Sequence, residues 1–252
     1  MASVLWQDLT AEELREKAAR DAVVVLPVAS MEQHGPHLPV GVDTILCSGV
    51  CKLAAERSEG VEVVVAPTLW CGMAEHHMAF GGTFTFDIPT YRAVLLALLK
   101  SLERHGFHRV VIVNGHGGNI AALGAFLPDF ARETSLQIRA TTYFLLAQEA
   151  MAPFMDDQVS VLHACEVETS MMMVLAPETV RQDRLPEAFG MLGADLTALT
   201  RPTVGQYKPF REMTQTGVIG DARKATAEKG QAFLGAAADA LAKLLSDRGG
   251  HG

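Results

Sequence analysis

Three short apolar runs in the first half of the chain limit its fold more than any other feature. Residues 22–28, 61–67 and 109–113 are rich in valine and are too short to form buried helices. β-Branched side chains favour strands, and runs without polar alternation indicate strands that are covered on both faces. Each run ends at a polar loop, and a longer segment with apolar residues at helical spacing follows it.

Strands and helices alternate along most of the sequence. Helices are predicted at residues 8–20, 44–56, 89–105, 120–133 and 222–245. A further helix is predicted to start within the segment 163–170 and to continue through residues 170–175. Asp8 or Thr10 is the predicted cap of the first helix, and Asp221 the predicted cap of the last. A fourth strand is predicted at 136–145, and ordered loop at 182–220.

Repeated strand–helix units predict an α/β fold in three α/β/α layers, with a mostly parallel central sheet and helices on both faces. The sequence contains no linker, internal repeat or low-complexity tract. We therefore expect a single domain over residues 1–252.

Charge and cysteine usage narrow the class of protein. The formal net charge of −8 argues against a nucleic-acid partner or an anionic membrane surface. No apolar run reaches the roughly 18 residues that a membrane span needs, and the N-terminal segment lacks the order of a signal peptide. Four cysteines without a CxxC pair favour reduced thiols: Cys47, Cys51, Cys71 and Cys165. These features together predict a cytoplasmic protein.

The loop after the first predicted strand carries the first candidate site. Its sequence, LPVASMEQHGPHLPVGVDT, places Glu32, His34 and Asp43 within twelve positions. Glu32 and His34 are two residues apart, so on an extended backbone both side chains leave the same face. Two carboxylates and an imidazole on one stiff loop are a sound donor set for a divalent metal.

A second candidate lies at NGHGGN, where the third predicted strand meets its helix. His116 stands between glycines that allow the backbone to turn sharply and a ligand to approach closely. The amides of this turn could instead cradle a phosphate, although the segment lacks the lysine of a P-loop and does not match GxGxxG. We favour the imidazole as a metal ligand, because ligands in parallel sheets bind beyond the carboxyl ends of the strands.

Two further loops carry acids and histidines. In HACEVETS, His163 could move protons and Glu166 or Glu168 could bind metal; alternatively, both acids only favour the start of a helix. The loop EHHMAFGGT offers Glu75 and His76 as substrate contacts, with His77 ranked lower. His37 is interpreted as hydrogen-bonding support, and His105 and His108 as solvated.

The four motifs EQHGPHLPVGVDT, EHHMAFGGT, NGHGGN and HACEVETS, in this order, resemble those of the creatininase (creatinine amidohydrolase) superfamily, in a member other than creatininase proper. The resemblance implies a creatininase-like α/β/α fold and a dinuclear site with two divalent ions, Zn²⁺ first and Mn²⁺ or Fe²⁺ as alternatives. It also implies a homo-hexamer built as a trimer of dimers, and hydrolysis of amide-type C–N bonds in small molecules.

The resemblance also assigns roles to matching positions. Glu32 and His116 would bind one metal, His34 the other, and Asp43 would bridge both. Glu168, with Glu166 as the alternative, would supply the fifth ligand, because Gly118 stands where creatininase has a ligating glutamate. His163 matches the catalytic histidine and, with Glu168 beside it, would carry a proton to the leaving nitrogen.

Substrate contacts are expected from Glu75, His76, Gly117 and Gly118. The aromatic residues that enclose creatinine are not evident, since the only tryptophans are Trp6 and Trp70. The predicted function is a metal-dependent amidohydrolase for a cyclic amide, a formamide or a similar small substrate. The alternatives are a non-catalytic protein that binds a metal or metabolite, and a phosphate-dependent enzyme that uses the NGHGGN amides.

Overall fold

The chain is described from a computed structural model, which covers residues 3–156, 158–191, 193–194 and 204–247. A four-stranded sheet forms its centre, and every neighbouring pair of strands runs parallel. The strands lie in the order β2-β1-β3-β4. Their bounds are β1 Val23–Val28, β2 Val63–Val65, β3 Arg109–Asn114 and β4 Gln137–Thr142.

Nine α-helices in the described residues accompany the sheet. The bounds are α1 Ala11–Ala19, α2 Val42–Arg57, α3 Ile88–Arg104, α4 Ile120–Glu133, α5 Tyr143–Leu146, α6 Gln148–Met151, α7 Glu166–Leu175, α8 Phe210–Met213 and α9 Ala227–Ser246. Two 3₁₀ segments matter for the site, Glu75–Phe80 and Gly117–Asn119.

The strand side chains alternate between two separate apolar cores. In β1, Val23 and Val25 pack with helices α2, α7 and α9, whereas Val24 and Leu26 pack with α1, α3 and α4. Because successive side chains of a strand point to opposite faces, an all-apolar strand requires a helical layer on each side. The predicted three-layer α/β/α architecture is confirmed.

The order of the strands determines where a ligand can bind. The chain leaves β1 for β2 on one side and then crosses to β3 on the other side of β1. This reversal opens a crevice beyond the carboxyl ends of β1 and β3, the usual ligand position in open α/β sheets. The loops after these two strands carry Glu32 and His116.

Helix boundaries follow their caps, and one predicted cap is wrong. Thr10 caps α1 through a reciprocal capping box with Glu13. Asp221 does not cap the last long helix: its side chain accepts from the amide of Arg223 in a short 3₁₀ turn. The cap of the long helix lies five residues later, at Thr226, whose side chain accepts from the amide of Lys229, and the helix begins at Ala227.

The predicted strand at 136–145 is too long. β4 ends at Thr142, which pairs with Asn114, the last residue of β3. Beyond Asn114 the chain turns into NGHGGN and offers no further strand partner. Tyr143 therefore begins a short helix, and both Tyr143 and Phe144 are buried.

The segment predicted as loop at 182–220 contains short regular elements. A 3₁₀ segment at Gln182–Glu187 precedes β5 at Phe189–Gly190, which pairs antiparallel with β6 at Gly220–Asp221. Residues 192 and 195–203 lie outside the described residues.

All four cysteines are buried and none forms a disulfide. Among the described helices, none combines the length and the apolarity that crossing a bilayer would take.

Candidate metal centre

Glu32 and His34 lie on the loop that follows β1, and both side chains are almost fully buried. The amide of Glu32 donates to the carbonyl of Val40 at 3.0 Å, which folds the loop back toward the start of α2. His34 Nδ1 is 3.1 Å from the carbonyl of Glu32. Because a carbonyl only accepts, Nδ1 donates there and Nε2 faces the crevice as a potential ligand.

Asp43 occupies the first turn of α2 and stands between two imidazoles. Its Oδ1 is 3.1 Å from His34 Nε2, and its Oδ2 is 3.1 Å from His116 Nδ1. The second oxygen of Glu32, Oε2, is also 3.1 Å from His116 Nδ1. Residues from both ends of one loop and from the β3 turn therefore meet at a single point.

The second ring nitrogen of His116 is held by the backbone. His116 Nε2 lies 3.2 Å from the carbonyl of Met73, so Nε2 donates and Nδ1 is left to face the two carboxylates. Asn114 fixes the turn, since its side chain donates to the His116 carbonyl at 2.7 Å and accepts from the His116 amide at 3.0 Å.

Three potential metal-ligand atoms at this point have no hydrogen bond. Glu32 Oε2, His34 Nε2 and Asp43 Oδ2 are buried and have no hydrogen-bond partner in the described structure. Their short contacts are with His116 Nδ1 in the case of the two oxygens, and with Asp43 Oδ1 in the case of His34 Nε2. Buried polar atoms without a partner carry a desolvation cost of about 1–3 kcal/mol each. Converging oxygen and nitrogen donors of this kind fit Zn²⁺ or Mn²⁺.

The two acids of α7 lie in different surroundings. Glu168 Oε2 is 4.0 Å from His34 Nε2 and accepts from the amide of Ala164 at 2.5 Å. Glu166 is also buried, but it forms an ion pair with the partly exposed Lys229. Of the two alternatives for a fifth ligand, only Glu168 borders the candidate centre.

Ala164 holds a left-handed backbone conformation with φ +52°. This conformation is uncommon for a residue with a Cβ and is found where neighbouring contacts enforce it. Here it turns the chain between His163 and Glu168, which brings both side chains to the same crevice.

His163 and His77 flank the other oxygen of Glu32. Glu32 Oε1 lies 3.6 Å from His163 Nδ1 and 3.2 Å from His77 Nε2. From the sequence we ranked His77 below His76 as a substrate contact; in the structure His77 is buried and His76 is partly exposed. His76 stacks on His116 with 5.7 Å between ring centroids. Nothing in the sequence distinguishes these neighbours, because their directions depend on the 3₁₀ segment.

Opposite charges dominate the protonation of the centre. Burial alone lowers the pKa of His34, but the facing Asp43 carboxylate outweighs it and raises the pKa to about 9. Likewise Glu32 and Asp43 outweigh burial and raise the pKa of His116 well above its ordinary value. Burial raises the pKa of Glu168 to about 7. The two facing imidazoles outweigh burial at Asp43 and lower its pKa.

The surrounding histidines are held neutral by burial. Burial, and then the neighbouring imidazole of His163, lowers the pKa of His77. Burial, and then the neighbouring imidazole of His34, lowers the pKa of His163. Burial and then His34 lower the pKa of His37 to about 4. His37 donates to or accepts from the Thr169 hydroxyl at 2.7 Å, in keeping with a supporting role. His105 and His108 are exposed.

A pocket of about 980 Å³ opens onto the candidate centre. The predicted substrate contacts Glu75, His76, Gly117 and Gly118 all line it. Its wall also includes Phe210, whose ring lies 4.2 Å from that of His77. The space admits molecules considerably larger than one small ring.

Comparison with known proteins gives the family. The family profile described as "Creatininase: Creatinine amidohydrolase" matches residues 7–245. The chain belongs to the creatininase family. A mycofactocin precursor peptide peptidase from Mycobacterium ulcerans is 32% identical over 82% of this chain and 78% of its own. A 3-dehydro-scyllo-inosose hydrolase from Thermotoga maritima is 28% identical over 97% of this chain and 83% of its own.

Solved creatininase structures have the same fold as this family member. The crystal structure of creatinine amidohydrolase superposes with a TM-score of 0.78 at 26% identity, covering 97% of each chain. Matching creatininase structures include a manganese form and a mutant of the Zn–Zn type, with TM-scores of 0.77 and 0.78. The relatives of this chain are thus hydrolases, and its structural neighbours bind divalent metals.

Gly118 stands where the resemblance to creatininase would place a ligating glutamate. A Cβ at Gly118 would lie 2.4 Å from both His116 Nε2 and the Met73 carbonyl oxygen. Both distances are far below a normal contact, so this backbone has no room for any side chain. A ligating glutamate at this position is therefore incompatible with the His116–Met73 contact.

Proposed function

We propose that this creatininase-family protein is a metal-dependent hydrolase that cleaves an amide-type C–N bond at a dinuclear centre. The observation that carries the proposal is the position of Asp43, whose two carboxylate oxygens each lie 3.1 Å from a different buried imidazole nitrogen. A carboxylate shared in this way suits a bridging ligand between two cations.

The proposed ligand set divides around that bridge. Glu32 and His116 would hold one ion, and His34 and Glu168 the other, with Asp43 between them. In each proposed imidazole ligand the N–H of the other ring nitrogen donates to a backbone carbonyl, which fixes the ring orientation. Two divalent ions held here would supply the Lewis acidity that activates water and polarises a carbonyl, and Zn²⁺ suits the mixed nitrogen and oxygen ligands.

The protein's own groups would then handle the proton and the substrate. His163 is neutral, partly buried and 3.6 Å from Glu32 Oε1, so it can take a proton and deliver it to the leaving nitrogen, assisted by the Glu168 carboxyl beside it. His76 and Glu75 border the pocket where a substrate would lie, and Gly117 and Gly118 allow it close access to the backbone.

The substrate is proposed as a cyclic amide, a formamide or a similar small molecule. Support comes from the amidohydrolase relatives and from the pocket above the centre. The peptidase relative and the 980 Å³ of space make short peptides the second candidate. We further propose a single domain over residues 1–252, a homo-hexamer and a cytoplasmic location.

Turnover before and after metal removal tests the proposed function. The protein loaded with Zn²⁺ or Mn²⁺ should hydrolyse at least one lactam, formamide or short peptide from a panel. Treatment with a chelator should abolish that activity, and readdition of metal should restore it. Turnover that survives complete removal of metal would contradict the proposal. Stoichiometric metal without turnover on any compound would favour the non-catalytic alternative.

Metal affinity should fall as the pH is lowered. In the metal-free protein His34 has a pKa of about 9, so at neutral pH an incoming cation must displace its proton. Each displaced proton should weaken apparent affinity by up to about tenfold per pH unit below that pKa. Calorimetric titration with Zn²⁺ in buffers of different ionisation enthalpy measures the proton release directly. An affinity that does not change between pH 6 and 9, with no proton released, would contradict this charge arrangement.

A further inference from the structure

Gln33 lies in the sequence between the two proposed ligands Glu32 and His34, and its side chain makes a separate set of contacts. Its side chain is buried, and Nε2 lies 3.0 Å from His77 Nδ1, 2.9 Å from His163 Nε2 and 3.1 Å from the Gly217 carbonyl oxygen. One amide nitrogen thus touches both histidines that flank Glu32.

Two backbone groups fix the orientation of this amide. The amide N–H of Gly35 points at Gln33 Oε1 from 2.9 Å, and an N–H can only face an acceptor. On the other side, the Gly217 carbonyl requires a donor. Exchanging the oxygen and nitrogen of Gln33 would break both contacts, so the assignment does not depend on either histidine.

Gln33 Nε2 carries two hydrogens but has three near neighbours, so only two of these neighbours can accept a hydrogen from it. One hydrogen goes to the Gly217 carbonyl. The main-chain carbonyl oxygen of Gln33 lies 2.8 Å from His163 Nε2, so that ring nitrogen carries a hydrogen and donates to it. The second amide hydrogen of Gln33 is left for His77 Nδ1, so each of the three acceptors, the Gly217 carbonyl, the Gln33 main-chain carbonyl and His77 Nδ1, receives one hydrogen. The 2.9 Å contact between Gln33 Nε2 and His163 Nε2 is then a close approach of two N–H groups and not a hydrogen bond.

The consequence for His77 is a defined tautomer. Because Nδ1 accepts from Gln33, the ring hydrogen of neutral His77 is on Nε2, which donates to Glu32 Oε1 at 3.2 Å. Glu32, His77 and His163 form one of the clusters that could hold a metal by distance alone. With its hydrogen on Nε2, His77 supports the Glu32 carboxylate and does not bind the ion.

His163 also carries its hydrogen on Nε2, but in this ring it is the other nitrogen, Nδ1, that faces the centre. Its Nε2 hydrogen is committed to the Gln33 carbonyl, so Nδ1 is left with a free lone pair. Nδ1 is also the atom that faces Glu32 Oε1 across 3.6 Å. A base at this ring position is directed into the centre, where a proton would be taken up.

Gly217 provides an independent observation. A Cβ at this position would lie 2.0 Å from Gln33 Oε1 and 2.9 Å from its side-chain carbon, and the residue has φ +80°. The backbone of Gly217 therefore lies directly against the Gln33 amide, with no room for any side chain. This packing fixes the amide as firmly as its hydrogen bonds do.

We propose that Gln33 is a positioning residue that sets complementary roles for two histidines, making His77 a hydrogen-bond donor to Glu32 and leaving His163 Nδ1 as the free base. The role of the base rests on the proposed function, whereas the two tautomers are properties of the metal-free protein.

Nitrogen-15 NMR of the histidine rings tests the proposal in the full chain, first without metal and then with Zn²⁺. Both His77 and His163 should carry their hydrogen on Nε2 in the metal-free protein, and His77 should keep it when Zn²⁺ binds. Signals are assigned with the single variants His77→Gln and His163→Gln. A ring hydrogen on Nδ1 of either residue, or loss of the His77 hydrogen on Zn²⁺ loading, would overturn the proposal.

Substitution of Gln33 provides the second arm. Gln33→Met removes the amide, and Gln33→Glu keeps the acceptor for the Gly35 amide while removing both donors. Either variant should lose the defined His77 tautomer and weaken Zn²⁺ binding by about 10- to 100-fold. The exposed Gln182→Glu should change neither measurement. Unchanged tautomers in a folded Gln33 variant would contradict the proposal, whereas wild-type protein with the expected tautomers and no Zn²⁺ binding would contradict only the proposed function.

Discussion

Asp43→Asn should reduce Zn²⁺ affinity by at least about 100-fold and remove hydrolytic activity while the fold persists. Substitution of groups that only support a metal ligand typically costs 10- to 100-fold, and a bridging ligand acts on both ions. Asparagine keeps the shape of the side chain but has one oxygen and no charge. It would leave one of the two imidazoles at 3.1 Å facing an amide nitrogen.

Metal content after gel filtration, together with calorimetric titration, measures the effect of Asp43→Asn. Asp183→Asn is the control, because it makes the same chemical change at an exposed position. Circular dichroism establishes that the variant is folded. A folded Asp43→Asn protein that retains two ions and wild-type affinity would contradict the bridging role.

Gly230→Ala should be the most destabilising single-methyl change in the helical layer formed by α7 and α9. A Cβ at this buried glycine of α9 would lie 1.9 Å from the carbonyl oxygen of Ser170 in α7 and 2.5 Å from its carbonyl carbon. Backbone atoms cannot move aside as a side chain can, so the helices must separate. Overpacking of this kind costs about 3 kcal/mol, which corresponds to a fall in Tm of roughly 6–12 °C for a chain of this size.

Gly235→Ala in the same helix is the matched control. Nothing lies within 4 Å of a Cβ built at Gly235, so the methyl group meets no neighbour. Alanine in a helix interior is more favourable than glycine, and this variant should gain about 0.5–1 kcal/mol. Urea unfolding of both variants measures the difference. Equal unfolding midpoints would show that close packing of α7 on α9 does not limit stability.

The sequence predicted the layers of the fold because they depend on local patterns. All-apolar runs such as Val23–Val28 identify strands buried on both faces, and the helical spacing between them gives the covering layers. Errors occurred where a boundary depends on a distant partner. β4 stops at Thr142 because β3 stops opposite it, and neither the length of β3 nor the pairing can be read from residues 136–145.

Candidate site residues could be predicted where their chemistry is unusual for their position. Carboxylates and imidazoles directly after buried strands identified Glu32, His34 and His116. Gln33 and His77 were not distinguished in the same way, since glutamine is common in loops and His77 adjoins another histidine. Their roles follow from contacts across 44 and 130 residues of sequence, which no local pattern contains.

The position of bound metal tests the central claim most directly. Anomalous diffraction at the zinc edge, from crystals grown with Zn²⁺, should give two peaks roughly 3.5–4 Å apart. We expect one peak among Glu32, Asp43 and His116, and the other among His34, Asp43 and Glu168. A single peak, or metal held away from Asp43, would contradict the dinuclear centre on which the proposed chemistry depends.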